Sequence, residues 1–387
     1  MYNIMTPGPT QVRENVRLSR SLTCTNPDLD PEFYTFYKET CELISSLLRT
    51  RNRSLILGGE GILGLEAACA TLTEPGDRVL VLDNGVFGKG FADFVKIYGG
   101  DPVLYTADYR RALDADALET YLKKDHDFKY ATVVHCDTPS GMLNDISRIC
   151  PLLKRYGILT VVDSVSAMFG EEIRADDFGT DILCGGSQKA LSAPPGLAFV
   201  TISPDADAAM HGRKTPVASF YANLLTFDNW YENQWFPYTM PISDIHGLRA
   251  ALENVKNDPD FLNRHARIAE ASRAAVTAAG LRLHQETGFS NTVTVFDVPE
   301  GVSAKDILNT VLREYRIMLA GSFDVLAGQV IRLGHMGENA RPEKMAAVFH
   351  ALDQVLPSLG VTLNAEMEEI FLRHLSRSCE RCVKTVY

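Results

Sequence analysis

Apolar positions along this chain fall into two alternating rhythms. Ser54–Leu57, Arg78–Leu82, Tyr130–His135, Leu159–Val165 and Ile182–Cys184 are short, nearly unbroken apolar runs. Runs of that length suit parallel strands covered on both faces. Between them the spacing turns helical. Phe33, Phe36, Tyr37, Cys41, Ile44, Leu47 and Leu48 mark one helix, opened by Asp30 as cap and Pro31 in its first turn. Ile62–Ala70 reads as an alanine-rich helix and Ser147–Tyr156 as another. The alternation predicts an α/β fold, with a mostly parallel sheet over the first 250 or so residues.

Residues 213–241 break the pattern. Trp230, Tyr231, Trp235, Phe236 and Tyr238 are too many aromatics for a solvated loop, so an interface is expected there. Helical spacing resumes through Leu248, Leu252 and Val255, then from Asp260 to Gly280. Strands at Thr292–Val298 and Val330–Leu333, with helices at Ser303–Tyr315 and Pro342–Leu356, predict a smaller α+β unit. The expected division is an N-terminal arm at 1–20, a large domain at 21–256, a small domain at 257–363 and a partly helical tail at 364–387.

The candidate chemistry centres on Cys184-Gly185-Gly186-Ser187-Gln188-Lys189, followed by Pro194-Pro195-Gly196. Glycines allow close backbone approach, and no other charge lies between Asp181 and Asp205. A lysine on such a ledge is poised to form a Schiff base with a carbonyl. Asp163 ends the apolar strand 26 residues earlier. An aldehyde-binding lysine and an anion for a ring nitrogen are the two things pyridoxal phosphate needs. Gly58-Gly59-Glu60-Gly61, between a strand and a helix, is the arrangement that offers backbone N–H groups to a phosphate. Arg332 stands inside an apolar strand, where a charge must be paired or functional, and its planar fork suits a carboxylate.

Composition narrows the partners. The chain has 387 residues and a net charge of −11, which argues against nucleic acid and anionic membranes. No window is apolar enough to span a bilayer and the start has no signal pattern, so a cytoplasmic protein is expected. Eight scattered cysteines suit buried thiols better than disulfides. Cys379-x-x-Cys382 lacks a second ligand pair and is read as incidental, and no metal is predicted.

Ser187-Gln188-Lys189-Ala190-Leu191, Pro194-Pro195-Gly196 and Val162-Asp163-Ser164-Val165 resemble the class V pyridoxal-phosphate aminotransferases. The alanine–glyoxylate and serine–pyruvate enzymes are the nearest in look, then the 2-aminoethylphosphonate–pyruvate enzymes. The resemblance implies the type I fold of pyridoxal-phosphate-dependent transferases, with Leu197–Ile202 as an antiparallel strand, and a homodimer. It implies pyridoxal 5'-phosphate as cofactor, Lys189 and Asp163 as catalytic residues, and ping-pong transfer from a small amino donor to pyruvate or glyoxylate. Phe87 and Val165 would sandwich the ring, and Thr138 would meet its phenolic oxygen. Gly59, Glu60, Gly61, Ile62 and Gln188 would form the phosphate cup, with Tyr238 and Thr239 reaching across the dimer; by spacing, the tyrosine position could instead be Phe236. Gly8, in the stiff arm Thr6-Pro7-Gly8-Pro9-Thr10, and Arg332 would meet substrate.

The cup departs from that pattern. The enzymes this chain resembles usually carry Ser where it has Glu60, and often Thr or His where it has Ile62. A carboxylate within ~5 Å of a phosphate costs on the order of 3 kcal/mol per charge pair at an effective dielectric near 20. Glu60 is therefore expected to turn away or to pair with a cation. Two rival activities stay open: a lyase or desulfurase of the same fold, and a non-catalytic pyridoxal-binding protein. The segment Met318–Gln329 offers no cysteine for the former.

Overall fold

The apolar runs become strands buried along most of their length, and Tyr130–Val134 and Ile182–Gly186 are buried at every position. The computed structural model describes residues 2–384, with side chains through 377. Seven strands form the main sheet in the order Arg53–Gly58, Leu197–Ile202, Ile182–Gly186, Leu159–Asp163, Tyr130–Val134, Arg78–Asp83, Asp101–Thr106. Leu197–Ile202 runs antiparallel to both of its neighbours, and the remaining pairings are parallel. The predicted helices form: Pro31–Leu47, capped by Asp30 onto Glu32 N–H, then Gly61–Leu72 and Ile146–Arg155. In such sheets ligands bind beyond the carboxyl ends of the parallel strands. Gly58, Asp83, Val134, Asp163 and Gly186 all end there.

Asp101–Thr106 was not predicted. It is an edge strand, half open to solvent, and so lacks the apolar run that marks a central strand. The helix Val86–Ile97 was masked by its glycines at 88 and 90, which read as loop.

Part of the aromatic stretch packs within the chain. Phe236 is buried, stacked on Tyr34 at 4.6 Å and on Trp230 at 5.3 Å. Trp230 also meets Tyr37 edge-on at 4.7 Å. These rings close over the Pro31–Leu47 helix instead of facing outward. Trp235, with Phe220 and Tyr221, remains exposed.

A second core gathers Ile268, Phe296, Ile331, Phe349 and Phe371. The strands Val293–Asp297 and Val330–Gly334 pair antiparallel across it. The N-terminal arm joins this core: Asn3–Ile4 pairs parallel with Ile317–Met318, and Met5 is fully buried. The C-terminal helix Met367–Lys384 packs back through Met367 and Phe371. The side chains of Cys379 and Cys382 lie outside the described residues. No described helix is long and apolar enough to cross a membrane.

Candidate active site

Four strand ends converge on one cavity of about 140 Å³. Asp163 closes its strand, and Lys189 stands three residues past Gly186. Thr138 follows the Tyr130–Val134 strand, and Phe87 opens the helix after Asp83. All four side chains line the cavity with Val165, and Glu60 and Ile62 close one end. Leu65, Cys136 and Ser166 line it too and were not anticipated. Cys136 was legible only as part of His135-Cys136-Asp137-Thr138, a stretch read for its threonine. His135 itself is a buried core residue, with Nδ1 3.0 Å from Ser164 Oγ. Burial lowers its pKa to about 4, so it stays neutral.

A wider cleft of about 500 Å³ opens beside Arg53 and His211. Its charges already neutralise one another: Arg53 meets Asp207 at 2.6 Å and His211 meets Asp228 at 2.8 Å. The smaller cavity differs in holding charges whose partners are incomplete.

Lys189 Nζ donates to the Pro7 carbonyl at 2.8 Å and to Thr138 Oγ1 at 3.4 Å. Loss of hydration, then the nearby Arg332 charge, pulls its pKa down to about 8; Cys136, Asp163 and Glu60 oppose this. Asp163 accepts one bond, from Val165 N–H at 2.9 Å. Burial raises its pKa to about 7 against the pull of that N–H and of Lys189. Asp137, missed by the sequence reading, anchors the wall by accepting from Phe87 N–H at 3.0 Å and Ser140 Oγ at 2.7 Å. Arg332 donates to the carbonyls of Gly321 and Thr138, and among the described residues no carboxylate lies within salt-bridge reach of it. Burial pulls its pKa down to about 10, with Asp137 opposing. Phe323 lies over the guanidinium at 5.9 Å and edge-on to Phe87 at 6.0 Å. Gly8 reaches the cavity from the arm, and a side chain there would collide with Lys189.

Glu60 makes no ion pair among the described residues. It caps the Gly61–Leu72 helix, with Oε2 accepting from Ile62 N–H at 2.9 Å, while Oε1 accepts from Gln188 Nε2. A free helix N-terminus attracts any nearby anion, and here the chain's own carboxylate reaches it first. Gly59 and Gly61 shape this turn, with Gly61 as the first helical residue. Gln188 Oε1 is left buried without a partner among the described residues. Tyr238 and Thr239 do not line the cavity within the chain. Tyr238 packs on Tyr221 at 4.1 Å, while Thr239 donates to Asp28 Oδ2 at 2.8 Å. Phe236, the alternative at the tyrosine position, is buried among rings. Among the described residues no cluster of three or more His, Cys, Asp or Glu is placed to hold a metal ion.

Residues 21–323 match the family described as aminotransferase class-V. The pyridoxamine–pyruvate transaminase of Mesorhizobium japonicum is 34% identical over 92% of this chain and 92% of its own length. Among solved structures, the ureidoglycine–glyoxylate aminotransferase of Bacillus subtilis superposes with a TM-score of 0.93 at 27% identity, covering 97% of this chain and 98% of that one. The pyridoxamine–pyruvate aminotransferase of Mesorhizobium loti superposes with a TM-score of 0.92 at 32% identity, covering 97% of each. An α/β sheet with a lysine and a carboxylate at adjacent strand ends, and sequence kinship over most of its length, make this chain a transaminase of the type I fold that belongs to the class V aminotransferases.

Proposed function

We propose that this enzyme transfers the amino group of unphosphorylated pyridoxamine to a small 2-oxo acid such as pyruvate or glyoxylate. The reaction yields pyridoxal and the matching amino acid. Membership of the family implies a pyridoxal phosphate site, and the residues present fit one half of that group better than the other. They suit the ring: a singly bonded buried carboxylate, an amine held low, an aromatic wall and a hydroxyl share one cavity. They do not suit the phosphate. One observation carries the reading: Glu60 occupies Ile62 N–H and Gln188 Nε2, two of the donors a phosphate would use. Among the described residues Lys189 is the one basic side chain lining the cavity, and it stands at the ring end, away from the cup. The relative named for pyridoxamine and pyruvate is consistent with that choice of donor.

The bound ring supplies an electron sink for the carbon that bears the amine. Asp163 retains the proton on the ring nitrogen, a charge that draws its own raised pKa back down. Lys189, neutral over much of the range near pH 8, moves a proton between that carbon and the α-carbon of the acid. Phe87 and Val165 cover the ring faces and exclude water, and Thr138 holds the phenolic oxygen. Arg332 trades its carbonyl partners for the carboxylate of the 2-oxo acid. Carbonyl and amine exchange places, so no outside oxidant is consumed. We place the enzyme in the cytoplasm as a homodimer, with exposed Trp235, Phe220 and Tyr221 facing a second copy and Thr239 of each chain beside the partner's cavity.

The test mixes purified full-length protein with pyruvate and either pyridoxamine or pyridoxamine 5'-phosphate, following aldehyde and alanine. Pyridoxamine should be the better donor by about a hundredfold in kcat/KM, the worth of one like-charge pair at the cup. Equal or faster turnover of the phosphate ester would overturn this reading. The protein would then join the pyridoxal-phosphate transaminases that take alanine or serine by ping-pong kinetics.

A further inference from the structure

The N-terminal arm crosses the cavity under unusual restraint. Pro7 offers its carbonyl to Lys189 Nζ at 2.8 Å. Gly8 follows with φ +98°, and a Cβ there would lie 2.5 Å from Lys189 Cδ and 2.8 Å from Nζ. Thr10 then binds the lysine loop, through its N–H to Gln188 O at 3.1 Å and its hydroxyl to Lys189 O at 3.1 Å. One fully buried side chain grips the arm on both sides of this turn. Asn339 Nδ2 donates to Thr6 O at 3.2 Å and to Gly334 O at 3.0 Å, and Oδ1 accepts from Gln11 N–H at 3.1 Å. Gly334 lets the arm lie flat on its strand, since a Cβ there would fall 2.3 Å from Thr6 O and Pro7 N.

We propose that the Pro7–Gly8–Pro9 turn is a dock that fixes where the Lys189 amine rests, and that Asn339 is the positioning residue that holds the dock. The proposal rests on Lys189 being the reacting amine. A proton carrier must return to one place after each transfer, and an amine at the end of four methylenes has many places to go. The Pro7 carbonyl accepts a hydrogen bond but cannot take the proton, so it orients the amine without competing for its chemistry. Asn339 touches neither Lys189 nor the cavity. It acts by keeping Thr6 and Gln11 at a fixed separation, so that the turn between them stays pressed on the lysine and water stays out.

The readout is Lys189 itself. Full-length protein without added vitamin is acetylated with acetic anhydride across pH and the Lys189 peptide is quantified by mass spectrometry, alongside steady-state kinetics. The groups facing Lys189 are Arg332, Cys136, Asp163 and Glu60, with Asp137 behind Asp163. None is changed in the variants used. Asn339→Leu and Gly8→Ala should each shift the Lys189 titration upward, toward an ordinary amine, as water enters. Each should also lower kcat by about tenfold or more with the KM for the 2-oxo acid nearly unchanged. A Gly8→Ala curve that overlays the wild type overturns the dock. An Asn339→Leu protein that loses thermal stability yet keeps the wild-type curve reduces Asn339 to a structural role and overturns that part. Should Asn339→Leu fail to fold, Asn339→Asp keeps the acceptor for Gln11 and is judged by the same curve. Absence of transamination in the wild type would instead count against the proposed reaction, and the labelling curves would still decide the dock.

Discussion

The two ends of the cavity are built on opposite principles. At the amine end, Lys189, Asp163 and Arg332 are enclosed with fewer partners than they could hold. Burial moves all three pKa values toward neutrality, to about 8, 7 and 10. At the cup end, two donors are already engaged: Ile62 N–H and Gln188 Nε2 both bind Glu60. Groups left short of partners in a closed site are held there for something that arrives. Donors already engaged by their own chain have less to offer it. On the proposed reading, the contrast separates what the enzyme binds by charge from what it turns away.

The largest effect is expected at the amine end. Lys189→Ala should lower kcat by about 10³-fold or more, the usual worth of a positioned proton carrier. An external amine such as methylamine should restore part of it. Turnover within tenfold of wild type would mean that the proton travels by another route, with Cys136 the next group to examine.

Glu60→Ser should invert the contrast. Removing the carboxylate frees Ile62 N–H and Gln188 Nε2 together, and the ratio of kcat/KM for pyridoxamine phosphate over pyridoxamine should rise about a hundredfold. Loss of the helix cap costs about 1 kcal/mol at most, because serine also caps. An unchanged ratio would show that Glu60 can swing aside and that the cup is open to phosphate.

The amine end was the legible one. Asp163 and Lys189 announced themselves as a pair, a carboxylate and an amine following successive apolar strands, and Arg332 stood out as a charge inside an apolar strand. The parallel sheet followed from unbroken apolar runs, while its half-exposed edge at Asp101–Thr106 gave no such run. Glu60 was visible as an anomaly, but its outcome was not. Whether a carboxylate caps its own helix or turns to solvent depends on the rotamer and on Gln188, 128 residues away. The fate of the aromatics at 230–238 was hidden likewise, since stacking on Tyr34 is a long-range contact without a local signature. Asn339 could not be found at all. A buried asparagine in a turn looks like any other until the arm that it grips is in place.

A smaller effect separates the two substrates. Arg332→Gln should raise the KM for the 2-oxo acid about ten- to a hundredfold, the cost of losing a charge-assisted pair. The KM for pyridoxamine should barely change, because the vitamin carries no carboxylate. If both KM values rose together, Arg332 would be holding the Thr138 wall through its bond to that carbonyl rather than greeting substrate.

The mildest test changes only pH. Asp163 has its pKa raised to about 7 by burial, so in the free enzyme the anion that a protonated ring nitrogen needs is lost as pH falls through that value. Lys189 has its pKa lowered to about 8, so the neutral amine is gained as pH rises through that value. Both changes act in the same direction. The kcat/KM for pyridoxamine should climb from pH 6 to pH 9, with the limb set by these two groups as a coupled pair. Once the ring is bound, its positive charge holds Asp163 ionised, so the limb near 7 should weaken in kcat while the one near 8 persists. Asp163→Asn should flatten the lower part of the kcat/KM limb and move the upper part to lower pH, since the Asp163 charge holds the Lys189 pKa up. The Glu60→Ser enzyme should keep both parts nearly where they were, since Glu60 ranks last among the charges acting on either group. A Glu60→Ser enzyme whose limb moved as far as that of Asp163→Asn would join the two ends of the cavity into one electrostatic unit, and the division drawn between them would fail.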